Sequence, residues 1–254
     1  MSDSLKQTTI LITRAKAQAA SMARAIRERG GIPLEIPLLH IVPTECTDTL
    51  GRSLEQIGDY TWIIFTSKNA VDCFFHYNKS LPASLKVAAV GTKTKQALEQ
   101  YGYTVHFVPS EFVAETFVKE FIPLVQEGER IIFPKGNLAR DVISSALLER
   151  GVFVDEFVVY ETKSNENVQG ELIAALQGEE VDVITFASPS AVWSFVSLLE
   201  GTNWRQWVKK CTIACIGPIT EQVALQFFSH VLAPQEYTIE GLLGCIEEFR
   251  ELKR

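Results

Sequence analysis

At 254 residues, 46% of them hydrophobic and 22% charged, the chain has room for one large core or two ordinary ones and the polarity of a soluble globular protein. A net charge of −7 argues against general nucleic-acid binding, which needs a basic face, yet leaves room for a small anion at local donors. The apolar runs are strand-length, too short for a membrane span, and the polar opening "MSDSLKQTT" lacks the apolar segment of a secretory signal, so a cytoplasmic protein is expected.

Short runs rich in Val, Ile and Phe alternate with segments of helical period, the pattern of an α/β protein with parallel sheets. The first strand, "TILIT" (9 to 13), leads into a helix start carrying Thr13 and Arg14, and "PLEIPL" (33 to 38) follows. "WIIFT" (62 to 66) runs into "SKNAV". There Ser67 is a preferred N-cap that satisfies helix amides, and with Lys68 beside it the same amides suit a ligand carboxylate. "KVAAV" (86 to 90) opens "GTKT", where Gly91 permits close approach to the backbone and Thr94 falls in the first helical turn. "TVHFV" (104 to 108) completes a first series of five strands.

A second series begins at "RIIFP" (130 to 134), followed by "KGNLAR", whose Lys135 and Arg140 suit either an anion or open solvent. "VDEFVVY" (154 to 160) ends on Tyr160, by default a half-buried packing residue and, in a polar cleft, a phenol able to donate a proton. "DVITF" (182 to 186) precedes "SPSAV", with Ser188 as N-cap and Pro189 at the first helical position. "CTIACI" (211 to 216) opens "GPIT", setting Gly217 and Thr220 in the places of Gly91 and Thr94, and "HVLA" (230 to 233) is the tenth strand.

The two series repeat each other. "AIRERGGIPLEI" lies over "ALLERGVFVDEF", and "FTSKNAVDCFF" over "FASPSAVWSFV", both at an offset of 121 residues; "AVGTKT" lies over "CIGPIT" at 126. A period of this length signals duplicated domains, since solenoid repeats are far shorter. Each half has the element order of a flavodoxin-like unit, and in such sheets ligands sit beyond the carboxyl ends of the strands. The corners named above are therefore the places to look for a site.

Other chemistries are disfavoured. No GxGxxG follows the first strand, no P-loop is present, and no GxSxG marks a hydrolase. The five cysteines (Cys46, Cys73, Cys211, Cys215, Cys245) form no CxxC pair and read as free thiols in a reducing compartment. The four histidines are too scattered to ligate a metal.

The motifs "ILITRA", "IIFTSKNAV", "AAVGTKT", "IIFPKGNLARD", "VVYETK", "ITFASPSAV" and "ACIGPIT", in that order, resemble the uroporphyrinogen-III synthase family along nearly the whole chain. The resemblance implies a lyase of haem biosynthesis that cyclises linear hydroxymethylbilane, inverts the fourth pyrrole ring and releases water. It implies a monomer with no metal and no cofactor. It also implies a discontinuous domain of residues 1–37 and 164–254, a second of 43–158, and two connecting strands at 38–42 and 159–163. Carried over by position, Ser67, Thr94, Ser188 and Thr220 would line the cleft, with Tyr160 assisting departure of the hydroxyl. Backbone amides at the helix starts after Ser67, Gly91, Ser188 and Gly217, with Thr13, Arg14, Lys68 and Lys135, would receive the carboxylates. Some members carry a hydroxyl residue where this chain has Ile219, which questions any essential role there. The contrasting reading is a non-catalytic two-domain binder of small anions.

Overall fold

Strands "WIIF" and "VITF" are buried at all four positions, as expected where helices cover both faces of a parallel sheet. The structure, a computed structural model, describes residues 4–45, 47–78 and 80–252. The chain opens with β1 (Thr9–Ile12), α1 (Lys16–Glu28), β2 (Ile32–Glu35) and β3 (Leu39–Pro43). It continues through α2 (Asp48–Glu55), β4 (Trp62–Phe65), α3 (Lys68–Tyr77), β5 (Lys86–Ala89), α4 (Thr92–Gln100) and α5 (Ala114–Phe121). Next come β6 (Arg130–Gly136), α6 (Val142–Glu149), β7 (Phe153–Ser164), α7 (Gln169–Gln177), β8 (Val183–Phe186) and α8 (Pro189–Leu198). The last elements are α9 (Trp204–Trp207), β9 (Thr212–Cys215), α10 (Pro218–Ala224), β10 (Val231–Leu232) and α11 (Ile239–Leu252).

The chain divides into two units, Met1–His40 with Lys163–Arg254, and Ile41–Thr162. The first holds a sheet in the order β10-β9-β8-β1-β2, parallel throughout. The second sheet runs β3-β7-β6-β4-β5, with β7, β6, β4 and β5 parallel. An α/β fold with parallel sheets is thus present, as the alternation of apolar runs and helical segments predicts.

Each sheet buries alternate residues on opposite faces. In the first unit Leu11, Ile184, Phe186 and Ile213 meet Phe195, Trp204 and Phe228 on one side, while Ile10, Ile12, Val183 and Ala214 meet α1 and α11 on the other. In the second, Ile63, Phe65, Val87 and Ile132 meet Phe74 and Leu98, and Trp62, Ile64, Ile131 and Phe133 meet Phe117 and Phe121. Helices α1 and α6 are followed by Gly30 and Gly151, whose φ values of 79° and 78° are the left-handed turn that ends a helix.

One expected strand is corrected. Residues 104–108 make only an isolated bridge, Phe107 to Ala88. The cause is local: the Val87 amide donates to His106 Nδ1 at 3.1 Å, so an imidazole takes the donor that a continuing ladder needs. β3 was not legible from periodicity, since its half-buried residues carry no strong period.

Candidate active site

In the second sheet β4 and β6 are neighbours, and the chain leaves them in opposite directions, β4 toward β5 and β6 toward β7. The carboxyl ends of such a pair flank the crevice where open α/β sheets bind ligands. Tyr160 reaches into it from β7. Its phenol oxygen lies 3.1 Å from Ser67 Oγ. Ser67 also caps α3, accepting the Ala70 amide at 3.1 Å.

Gly136 makes this reach possible. A Cβ on Gly136 would stand 2.6 Å from the Tyr160 hydroxyl and 2.7 Å from Cε2, contacts that no side chain tolerates. The pairing of β6 with β7 shifts register between Lys135 and Gly136, which puts Gly136 opposite Tyr160; irregularities of this kind re-aim a side chain. Asn137 fixes the neighbouring backbone, donating its amide to the Tyr160 carbonyl at 3.2 Å and accepting the Thr162 amide on Oδ1 at 2.9 Å. Sequence reasoning read "KGN" as an anion corner or open solvent and missed this role. The available signal was the adjacency of consecutive strands joined by one helix, which brings the ends of β6 and β7 side by side.

The cations after β6 are already engaged. Lys135 is buried, with its ammonium 2.9 Å from Glu156 and 3.0 Å from Asp141. Burial alone would lower its pKa, but the two carboxylates outweigh that and hold it above the usual lysine value. Arg140 makes a two-point pair with Glu115 at 2.7 and 3.2 Å. Lys68, by contrast, sits on the surface against Asp72 at 2.5 Å, an exposed pair that is easily exchanged. Gly91 starts α4, and Thr94 within that first turn is buried.

In the first unit the reversal falls between β1 and β8. Thr13 follows β1 and is fully buried, donating its hydroxyl to the Thr185 carbonyl of β8 at 2.7 Å. Arg14 is half-buried, and burial lowers its pKa, though a guanidinium remains a cation at any physiological pH. Ser188 caps α8 by accepting the Ala191 amide at 3.3 Å and lies 2.9 Å from Ser190 Oγ. One strand further out, Gly217 begins α10 and Thr220 is buried in its first turn. The expected residues therefore collect at the carboxyl ends of the two sheets. Tyr160, Ser67 and Gly136 occupy one crevice, and Thr13, Arg14 and Ser188 the corresponding strand ends of the other unit.

No described cysteine is poised as a nucleophile. Burial pushes the Cys211 thiol up to about 11 and Cys215 up to about 12, and it raises Cys73 and Cys245 as well; Cys46 lies outside the described residues. Iodoacetamide at pH 7.5 is expected to alkylate Cys211 and Cys215 only after denaturation, read by peptide mass spectrometry. Rapid labelling of either in the native protein would contradict that. Among the described residues no helix is long and apolar enough to cross a membrane.

Comparison with known proteins finds relatives along nearly the whole chain. The family described as Uroporphyrinogen-III synthase HemD matches residues 20–244. A uroporphyrinogen-III synthase of Synechococcus elongatus is 32% identical, covering 95% of each chain. One of Chlorobaculum parvum is 29% identical over 84% of this chain and 86% of its own. In structure, a uroporphyrinogen-III synthetase of Helicobacter pylori superposes with a TM-score of 0.63 at 19% identity, covering 97% of this chain and 99% of its own. A mutant uroporphyrinogen III synthase of Thermus thermophilus gives 0.61 at 16% identity, covering 96% and 99%. With a family match over most of its length and a third of its residues shared with a full-length relative, the chain belongs to the uroporphyrinogen-III synthase family.

Proposed function

We propose that this protein converts hydroxymethylbilane into uroporphyrinogen III, closing the macrocycle with inversion of the fourth ring. The observation that carries the chemistry is the Tyr160 phenol, aimed into the β4/β6 crevice over Gly136 and 3.1 Å from Ser67 Oγ. A phenol so placed can give its proton to the departing hydroxyl. The C–O bond breaks with its electron pair on oxygen, water leaves, and an azafulvene cation remains. The substituted position of the fourth ring attacks that cation to form a spiro centre. The spiro centre fragments at the original bridge and recloses at the free position, and the ring proton lost there restores the phenol. The sum is loss of one water without oxidation or reduction, so the chain's own residues suffice.

The bilane closes unaided to the symmetrical type I isomer, so the enzyme's main task is conformational control. An octacarboxylate meets a protein of net charge −7, so binding falls to local donors. We assign these, in the second unit, to the amides opening α3 and α4 beside Ser67 and Gly91, with Lys68 and Thr94. In the first unit we assign them to the amides opening α8 beside Ser188, with Arg14, Gly217 and Thr220, while Thr13 holds the end of β1 through its bond to Thr185. Lys135, held by two carboxylates, is assigned instead to fixing the end of β6 behind Gly136.

We also read the two units as the family's two domains, duplicated from one flavodoxin-like plan and joined through β3 and β7. Support comes from the sequence repeat and from strand order. Counted by repeat position, β2-β1-β8-β9-β10 follows the 2-1-3-4-5 pattern, while β7-β6-β4-β5 follows its first four positions, with the fifth reduced to the Phe107 bridge and β3 added outside β7. Each unit thus takes its first two strands from one copy and the rest from the other. The fully buried pairs Phe65–Phe74 and Phe186–Phe195 meet edge to face at 5.5 and 5.4 Å.

An isomer assay tests the function: wild-type protein given hydroxymethylbilane should yield the type III isomer. Folded protein that leaves only type I overturns the proposal. Tyr160→Phe should lower turnover several-fold with the thermal midpoint unchanged, and an unaltered rate would remove Tyr160 from the chemistry.

A further inference from the structure

Two aromatic side chains stand exposed at matching places in the two units. Phe112 is 54% exposed and Tyr237 62% exposed. They end the segments "PSEF" (109 to 112) and "PQEY" (234 to 237), which repeat at an offset of 125 residues with Pro109 over Pro234 and Glu111 over Glu236. Each precedes the helix after the fifth repeat position, α5 or α11. Each also stands beside the glycine that opens the helix of the fourth. A Cβ built on Gly91 would lie 3.8 Å from Phe112 Cβ, and one on Gly217 would lie 3.4 Å from Tyr237 Cγ.

Neither glycine is demanded by the fold. Their φ values of −143° and −174° are extended backbone that any residue adopts, and an added Cβ would make ordinary contacts. Ser, Asn or Asp would cap a helix better than Gly. What the missing side chains avoid is a group resting against an exposed ring, since even a Cβ would already touch Phe112 or Tyr237, at the carboxyl end of a sheet where a ligand approaches.

We propose that Phe112 and Tyr237 are stacking platforms for pyrrole rings of the substrate, one in each unit, with Gly91 and Gly217 keeping the ring faces clear. The assignment rests on the bilane reading above. A ligand made of repeated flat rings with acidic arms suits this corner: the exposed ring takes a pyrrole face, and beside Phe112 the free amides opening α4 take a carboxylate. Such contacts add binding without touching the bond that breaks, so they govern KM and the folded pose more than the chemical step.

The test uses the full-length protein with hydroxymethylbilane, scoring initial rates and the ratio of type III to type I. Phe112→Ser and Tyr237→Ser should each raise KM about three- to tenfold and increase the type I fraction, with unchanged thermal midpoints. Tyr237→Phe keeps the ring and should raise KM far less than Tyr237→Ser; an equal rise in both would refute stacking by that ring. Gly91→Val, which fills the space beside Phe112, should raise KM in the same way. If wild-type protein makes type III while both Ser variants retain the wild-type KM, the platforms are refuted and the function stands. If wild-type protein makes only type I, the function fails and the platforms fall with it.

Discussion

Gly136→Ala is expected to lower kcat several-fold, up to the loss expected of Tyr160→Phe, because it displaces the general acid. The added methyl would fall inside the Tyr160 ring end, 2.6 Å from the hydroxyl and 2.7 Å from Cε2, so either ring or strand must move. The strand is the stiffer of the two, because β6 is paired with both β7 and β4 and its end is clamped by Lys135 between Glu156 and Asp141. The ring therefore swings away and its bond to Ser67 is lost. Overpacking of this kind costs about 1–3 kcal/mol, which thermal unfolding will register separately from turnover. A background of Tyr160→Ala distinguishes positioning from damage, since without the ring Gly136→Ala should change neither rate nor stability further. If Gly136→Ala keeps full kcat where Tyr160→Phe does not, the glycine does not act through the tyrosine.

The parallel sheets and the Ser caps were legible in the sequence because each is a local signal: four apolar residues in a row, then Ser, then helical period. Ser67 and Ser188 cap their helices as that pattern predicts. The contact between Gly136 and Tyr160 was not legible, since it depends on a one-residue register shift that leaves no trace in composition or periodicity. Lys135 looked like an anion donor for the same reason: its partners Glu156 and Asp141 come from the neighbouring strand and the following turn. The strand expected at 104–108 was apolar enough to be one, but the ring of His106, turned onto the Val87 amide, takes a donor that the ladder needs. Phe112 and Tyr237 were not legible, because their repeat lies in loops that carry no apolar period.

Phe186→Ala is expected to cost the first unit about 3–5 kcal/mol, the range for removing a fully buried ring. Phe186 has no exposed surface and packs edge to face on Phe195 at 5.4 Å and against Phe228 at 6.0 Å. Phe195, Phe228 and Trp204 are already packed on one another at 5.6 to 6.1 Å, so little collapse can offset the void. Phe186 is also the last residue of β8, two positions before the cap at Ser188, so its loss loosens the corner proposed to grip a carboxylate. Amide exchange will read the effect: protection in β1, β8 and β9 should fall by a factor on the order of 10² to 10³. Phe65→Ala should do the same to β4 and β6, since Phe65 is equally buried and meets Phe74 at 5.5 Å. Leu252→Ala, at a position 87% exposed, should change stability by less than about 0.5 kcal/mol. Losses of similar size at Leu252 and Phe186 would contradict this account of the core. With the cavity as cause, Phe186→Leu should recover most of the lost protection, because it restores most of the missing volume.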